Sequence, residues 1–174
     1  IRKAGRATVK NFGVKSRFVH FEFFRLLEDH EGMGKKGDVV ALEVNMRPSG
    51  GFTPDMINFA HSTNVYKIWA DMIAFDRSTI ESTEHAFCPF AGRRDGKDFV
   101  YSDEEIRGKY RDNLKMTGRM PEALSGAMGN QMYIARFETE EGMNQFYQDV
   151  LGCKSVEKAE SATEVTEKIA VEPK

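Results

Sequence analysis

Two apolar runs, each with a glutamate inside it, flank a short Gly-rich segment, and this arrangement constrains the chain more than any other feature. The first run is Arg17-Phe18-Val19-His20-Phe21-Glu22-Phe23-Phe24-Arg25-Leu26-Leu27, and the second is Asp38-Val39-Val40-Ala41-Leu42-Glu43-Val44-Asn45. Residues 28–37 (EDHEGMGKKG) are polar and carry three glycines, which reads as a turn. The first run is rich in aromatics and too apolar for an exposed strand, so it is expected to be buried on both faces. Side chains alternate along a strand, so His20, Glu22 and Phe24 share one face, as do Ala41, Glu43, Asn45 and Arg47. A hairpin register that sets Glu22 opposite Glu43 also sets His20 opposite Asn45. It centres the turn between Gly32 and Met33 unless a bulge shifts it.

Two carboxylates paired across strands stand about 5 Å apart. Set among phenylalanines on one side and Leu42 and Val44 on the other, they need something to neutralise them. One solution is a shared proton or an arginine partner, with Arg17, Arg25 and Arg47 close in sequence. The other is a hard divalent cation with oxygen ligands, for which the amide oxygen of Asn45 is a further donor. Two carboxylates and an amide suit Mg²⁺, which keeps positions open for water and phosphate oxygens. The residue pattern alone leaves both solutions open.

The rest of the chain bounds the reading. With 174 residues there is enough sequence for one sizeable core, or one domain with a small appendage. A net charge of −2 provides no general attraction to nucleic acid or to an anionic membrane surface. No run approaches the roughly 20 apolar residues that span a bilayer, and the first residues have no apolar signal-peptide core. Cys88 and Cys153 are too few for a disulfide framework, so a cytoplasmic location is expected. The chain starts without Met inside a basic helical pattern, as a piece of a longer protein would.

Along the chain, residues 1–12 read as a helix stopped near Gly13. Arg47-Pro48-Ser49-Gly50-Gly51-Phe52 reads as a loop. Thr53-Pro54-Asp55 reads as an N-cap, a proline in first helical position and an acidic first turn, with the helix running to about His61. Asn64 caps a second helix, Val65 to Phe75. Past residue 84 the pattern turns to short strands. Residues 86–91 and 99–101 are expected to pair through an Arg-Arg-Asp-Gly turn. Ser102 to Glu105 is a capping box, residues 131–137 a strand and residues 139–151 a helix. Three regions follow: 1–80 with the glutamate strands, 84–152 as a small α+β appendage, and 153–174 as a charged, flexible tail.

Phe21-Glu22-Phe23 followed by Leu42-Glu43-Val44-Asn45-Met46-Arg47-Pro48-Ser49-Gly50-Gly51 resembles the C-terminal half of an ATP-grasp domain. In that superfamily a Glu on one core strand and Glu-x-Asn-x-Arg on the next ligate Mg²⁺ and orient the phosphates of ATP. The resemblance covers roughly residues 1–75. It implies an α+β fold, an antiparallel sheet flanked by helices, with residues 84–151 as the small β-rich appendage that often follows. It implies Glu22, Glu43 and Asn45 as ligands to Mg²⁺, or Mn²⁺ in its place. Arg47 would hold the transferred phosphoryl group or the acceptor carboxylate, and Gly50 and Gly51 would offer backbone N–H groups to that anion.

The activity implied is that of a ligase using ATP and Mg²⁺ to turn a small carboxylate into an acyl phosphate, which an amine then attacks. A homo-oligomer is compatible with it. The Arg-Pro-x-Gly-Gly continuation is similar to the carboxylate-amine ligases. A carboxylase or carbamoyl-forming relative is the alternative, but Ser49-Gly50-Gly51 stands where Gln-Val-Glu is expected. A third alternative is a non-catalytic binding module with a structural glutamate pair. The family's phosphate-covering loop, phosphate-binding Lys and adenine strand lie upstream of the matched region. This chain by itself is therefore expected to be inactive.

Other features have plainer readings. His20 is read as a packed histidine, His30 as a turn residue, and His61 and His85 as lacking metal-ligand spacing. Arg93 to Lys97 is read as a solvated hairpin tip, and residues 126–130 as a connector.

Overall fold

The computed structural model describes residues 1–82 and 84–154. Most of the expected tail, residues 155–174, lies outside the described residues. Its first two residues are tied down: Cys153 bridges to Phe99, and the Lys154 amide donates to the Asp98 carbonyl at 2.9 Å.

The architecture is α+β, with two antiparallel sheets and six helices among the described residues. Helix α1, Arg2–Asn11, ends where Gly13 turns with φ of 62°. Strands β1, His20–Arg25, and β2, Val39–Asn45, form a two-stranded ribbon. Helices α2, Thr53–His61, and α3, Val65–Phe75, follow. The second half contains β3, Phe90–Arg93; α4, Asp103–Lys109; β4, Leu114–Arg119; α5, Glu122–Met128; β5, Gln131–Ala135; and α6, Glu140–Leu151. Its three strands are ordered β3-β5-β4.

Central strand β5 shows why this sheet is the core of the chain. Tyr133 and Ala135 point to one face, where Ala91, Ile106, Phe146 and Val150 close around them under α4 and α6. Met132 and Ile134 point to the other, against Met120, with Phe52, Met56 and Phe59 of α2 and its approach packed on top. A strand buried on both sides loses the polar alternation of an exposed one. Helix α2 thus follows the glutamate strands in sequence and packs on the second sheet. The Arg136 guanidinium reinforces this by donating to the Phe59 carbonyl at 2.9 Å.

Several expectations need correction. The first apolar run is not a strand buried on both faces. Among the described residues it is half of a two-stranded ribbon with no third strand to cover it, and Phe24 and Leu42 are 54% and 55% exposed. Residues 86–91 and 99–101 do not pair with each other. Phe87 bridges to Phe137, Phe99 to Cys153, and β3 pairs with β5. Helix α2 starts at Thr53 with Phe52 as N-cap, so no side chain caps it. Strand β4 and helix α5 were not anticipated. Asn64 does cap α3, accepting from the Lys67 amide, and the capping box at Ser102 and Glu105 is formed.

Candidate metal and phosphate corner

The β1–β2 ribbon carries unlike chemistry on its two faces. Phe21 and Phe23 meet edge to face, 6.1 Å between ring centroids, and α1 lies against Phe21 at Gly5. The opposite face presents His20 and Glu22 from β1, with Glu43 and Asn45 from β2. Glu22 pairs with Glu43 and His20 with Asn45, the expected register. One residue further the register slips: Phe23 pairs with Ala41 and Leu42 has no partner. This bulge sits next to the glutamate pair. It takes Ala41 off the expected face, since a bulge bends the strand and re-aims the side chains beside it.

Single donor atoms of His20, Glu22 and Glu43 all lie within 4.8 Å of one another. The His20 Nε2 to Glu22 Oε1 distance is 3.4 Å, and the Asn45 amide nitrogen donates to Glu43 Oε1. Glu43 is exposed and the Glu22 side chain is 45% exposed. Among the described residues no Lys or Arg pairs with either glutamate. Arg17 instead reaches Asp76 at 3.0 Å, and Arg47 donates to the Pro48 carbonyl at 3.0 Å. The arginine partner considered from sequence is therefore absent from this arrangement, and solvent screens the two like charges.

The donor set fits a divalent cation. Ligand atoms on one octahedral Mg²⁺ stand roughly 3–4 Å apart, so modest rotamer changes would close the observed spread. Turning the Asn45 amide over would present its oxygen in place of its nitrogen. Carboxylates satisfy a hard ion, and an imidazole suits ions further along the first transition row.

His20 and Glu22 also form one wall of a cleft of about 510 Å³. Ser49, Gly50 and Gly51 line its floor, next to the N-terminus of α2 at Phe52 and Thr53. Gly51 has φ of 61°, a left-handed conformation that L side chains adopt only under strain. The far wall is apolar: Met56, Phe90, Leu124 and Met128. It depends on β3 and α5 lying very close together. A Cβ on Gly92 would overlap the Met128 carbonyl oxygen, so a glycine there lets the helix end approach the strand.

The chain matches no protein-family model and no curated protein. Among solved structures it is similar to the crystal structure of phosphoribosylglycinamide synthetase from Anaerococcus prevotii. The identity is 12% and the TM-score 0.49, over 84% of this chain and 38% of that one. The chain thus spans less than half the length of that protein, and a likeness at this level assigns no residue or activity.

Of the residues expected from sequence, Glu22, Glu43 and Asn45 come together, and Gly50 and Gly51 line the adjoining cleft. Arg47 stands apart, exposed and folded onto its own loop. The sequence reading underrated His20 and missed the apolar wall. His20 had a usable signal, since it lies two positions from Glu22 and opposite Asn45. The wall had none, because it is assembled by contacts between residues tens of positions apart. Arg93, expected in a solvated hairpin tip, is instead buried at the end of β3. It donates to the Val150 carbonyl at 2.6 Å at the end of α6, where a cation offsets the helix dipole, and it lies over the Phe99 ring at 4.4 Å.

Proposed function

We propose that this chain carries the metal and phosphate corner of an ATP-grasp ligase, which uses ATP to activate a small carboxylate for attack by an amine. The observation that carries the reading is the pairing of Glu22 with Glu43, beside Asn45 and without a Lys or Arg partner among the described residues, with Glu22 lining the cleft. The divalent ion, when bound, neutralises phosphate charge as a phosphoryl group moves to the carboxylate.

The residues divide the remaining work. Glu22 and Glu43 would hold the ion from facing strands, and Asn45, with its amide turned over, would add its oxygen. Gly50 and Gly51 line the same cleft as the residues at the N-terminus of α2, Phe52 and Thr53, where backbone N–H groups could meet an anion. Among the described residues no side chain caps that helix end by a hydrogen bond, which leaves its amides to a phosphate or carboxylate oxygen. Arg47 would have to leave the Pro48 carbonyl to hold the transferred phosphoryl group or the acceptor carboxylate with its planar guanidinium. The Met56, Phe90, Leu124 and Met128 wall takes the uncharged part of the carboxylate substrate. Grip on the nucleotide base belongs to elements outside this set of residues.

The melting temperature of the chain, measured in EDTA and in Mg²⁺ or Mn²⁺, tests the metal half of this reading, since the grip on ATP lies outside these residues. The ion is expected to raise it, and Glu22→Gln to remove most of that rise. Equal shifts in both proteins, or no shift relative to EDTA, would overturn it.

A further inference from the structure

We propose that His20 supplies a nitrogen ligand to the ion held by Glu22 and Glu43, making this a mixed site that favours Mn²⁺ over Mg²⁺. The inference rests on the cation reading of the two glutamates and adds a residue and a selectivity to it.

Three observations converge on the imidazole. Its donor atom lies within the same 4.8 Å group as one oxygen from each glutamate. It shares the ribbon face of Glu22, sits opposite Asn45, and lines the same cleft as Glu22. And the protein leaves the ring poorly satisfied. Nδ1 is closed off from solvent without a hydrogen-bond partner among the described residues, while the side chain as a whole is 25% exposed. Nε2 has Glu22 Oε1 at 3.4 Å, beyond the usual range of a good N–H···O bond.

A histidine kept for packing normally finds partners for its buried ring nitrogens, because an unmet buried polar atom is destabilising. Here Nε2 gains no strong bond from the protein, and a cation between the strands would give that nitrogen its partner, with the ring proton then kept on Nδ1.

The nature of the donor then sets the preference. Mg²⁺ is a hard ion that takes oxygen and sheds water reluctantly. Imidazole nitrogen binds more readily to first-row transition ions, whose affinity rises from Mn²⁺ to Cu²⁺. Two carboxylates and an imidazole therefore accept Mg²⁺ and hold Mn²⁺ more tightly.

Binding of Mn²⁺ alone to the full chain, followed by loss of the free-ion electron paramagnetic resonance signal, with Mg²⁺ as competitor, tests the proposal. Wild type, His20→Ala, His20→Gln and Glu43→Gln are compared, each first checked for folding by far-UV circular dichroism. His20→Ala and His20→Gln are expected to weaken Mn²⁺ at least tenfold while changing Mg²⁺ less than threefold, and Glu43→Gln to weaken both ions. Pulsed spectra of the bound Mn²⁺ should show nitrogen-14 modulation in wild type and none in the His20 variants. If His20→Ala binds Mn²⁺ as wild type does while Glu43→Gln does not, His20 is no ligand and the cation reading stands. If wild type and Glu43→Gln bind both ions equally, the cation reading itself fails.

Discussion

Replacing Glu43 by Gln should change stability in opposite directions depending on whether a cation is present. In wild type without metal, Glu22 and Glu43 face each other across the ladder as like charges, with no Lys or Arg paired to either among the described residues. At about 5 Å, in the water-like dielectric suited to their exposure, two unit charges repel by about 0.8 kcal/mol. Removing one charge is therefore expected to stabilise the metal-free chain by up to that amount at low salt, and by less as salt screens the pair. A cation at a hundred times its dissociation constant stabilises a protein that binds it only when folded by about 2.7 kcal/mol. With saturating Mn²⁺, wild type should thus be the more stable protein by roughly 2 kcal/mol. Urea unfolding in EDTA and in Mn²⁺, followed by far-UV circular dichroism and by Trp69, the single tryptophan, reads both signs. Lower stability of Glu43→Gln in EDTA, or an equal gain from Mn²⁺ in both proteins, would refute the reasoning.

Three further outcomes follow from the packing. Phe146 is fully buried among Tyr110, Phe137 and Tyr147, so Phe146→Ala should cost about 3–5 kcal/mol in urea unfolding. A cost below 1 kcal/mol would contradict the core described. Burial by itself pushes the Asp149 carboxyl up, but hydrogen bonds from Lys109, Tyr110 and Gln145 outweigh it and hold it below the usual carboxylate range. Its contribution is therefore present above its unfolded value of about 3.9 and fades as pH falls through the lower folded value, and Asp149→Asn should flatten the acid limb of a stability–pH profile. Burial raises the Cys88 thiol to about 11, whereas Cys153 is exposed. A disulfide reagent at pH 8 should titrate one thiol quickly and the other only slowly, and two equally fast thiols would contradict this placement.

The glutamate ribbon was legible in the sequence because a strand has a period of two and a hairpin has a constant register. Those two rules were enough to place Glu22 against Glu43 and His20 against Asn45. The helix starts at Asn64, Ser102 and Thr139 were legible for a local reason too, since each side chain bonds an amide three residues ahead. What failed was long-range. Phe87 and Phe90 look like one strand with a hairpin partner close by, yet their partners are Phe137 and Ile134, supplied from beyond two helices. Strand β4 alternates Leu114 and Met116 with Lys115 and Thr117, but it is short, contains Gly118 and has a register irregularity after Leu114, all of which blur a periodic signal. The apolarity of residues 17–27 was over-read as two-sided burial, because composition does not reveal how many strands a sheet has. Arg47 was placed by resemblance, and in this structure its guanidinium rests on the Pro48 carbonyl.

Localising a bound ion by nuclear magnetic resonance tests the central claim most directly. Mn²⁺ added in small steps to the nitrogen-15-labelled chain broadens the amide signals nearest the ion first. The account predicts that residues 20–22 and 43–45 fade first, followed by Gly50 and Gly51. Broadening that begins at the acidic start of α6, around Glu138 to Glu141, or that spreads over all exposed carboxylates alike, would contradict it.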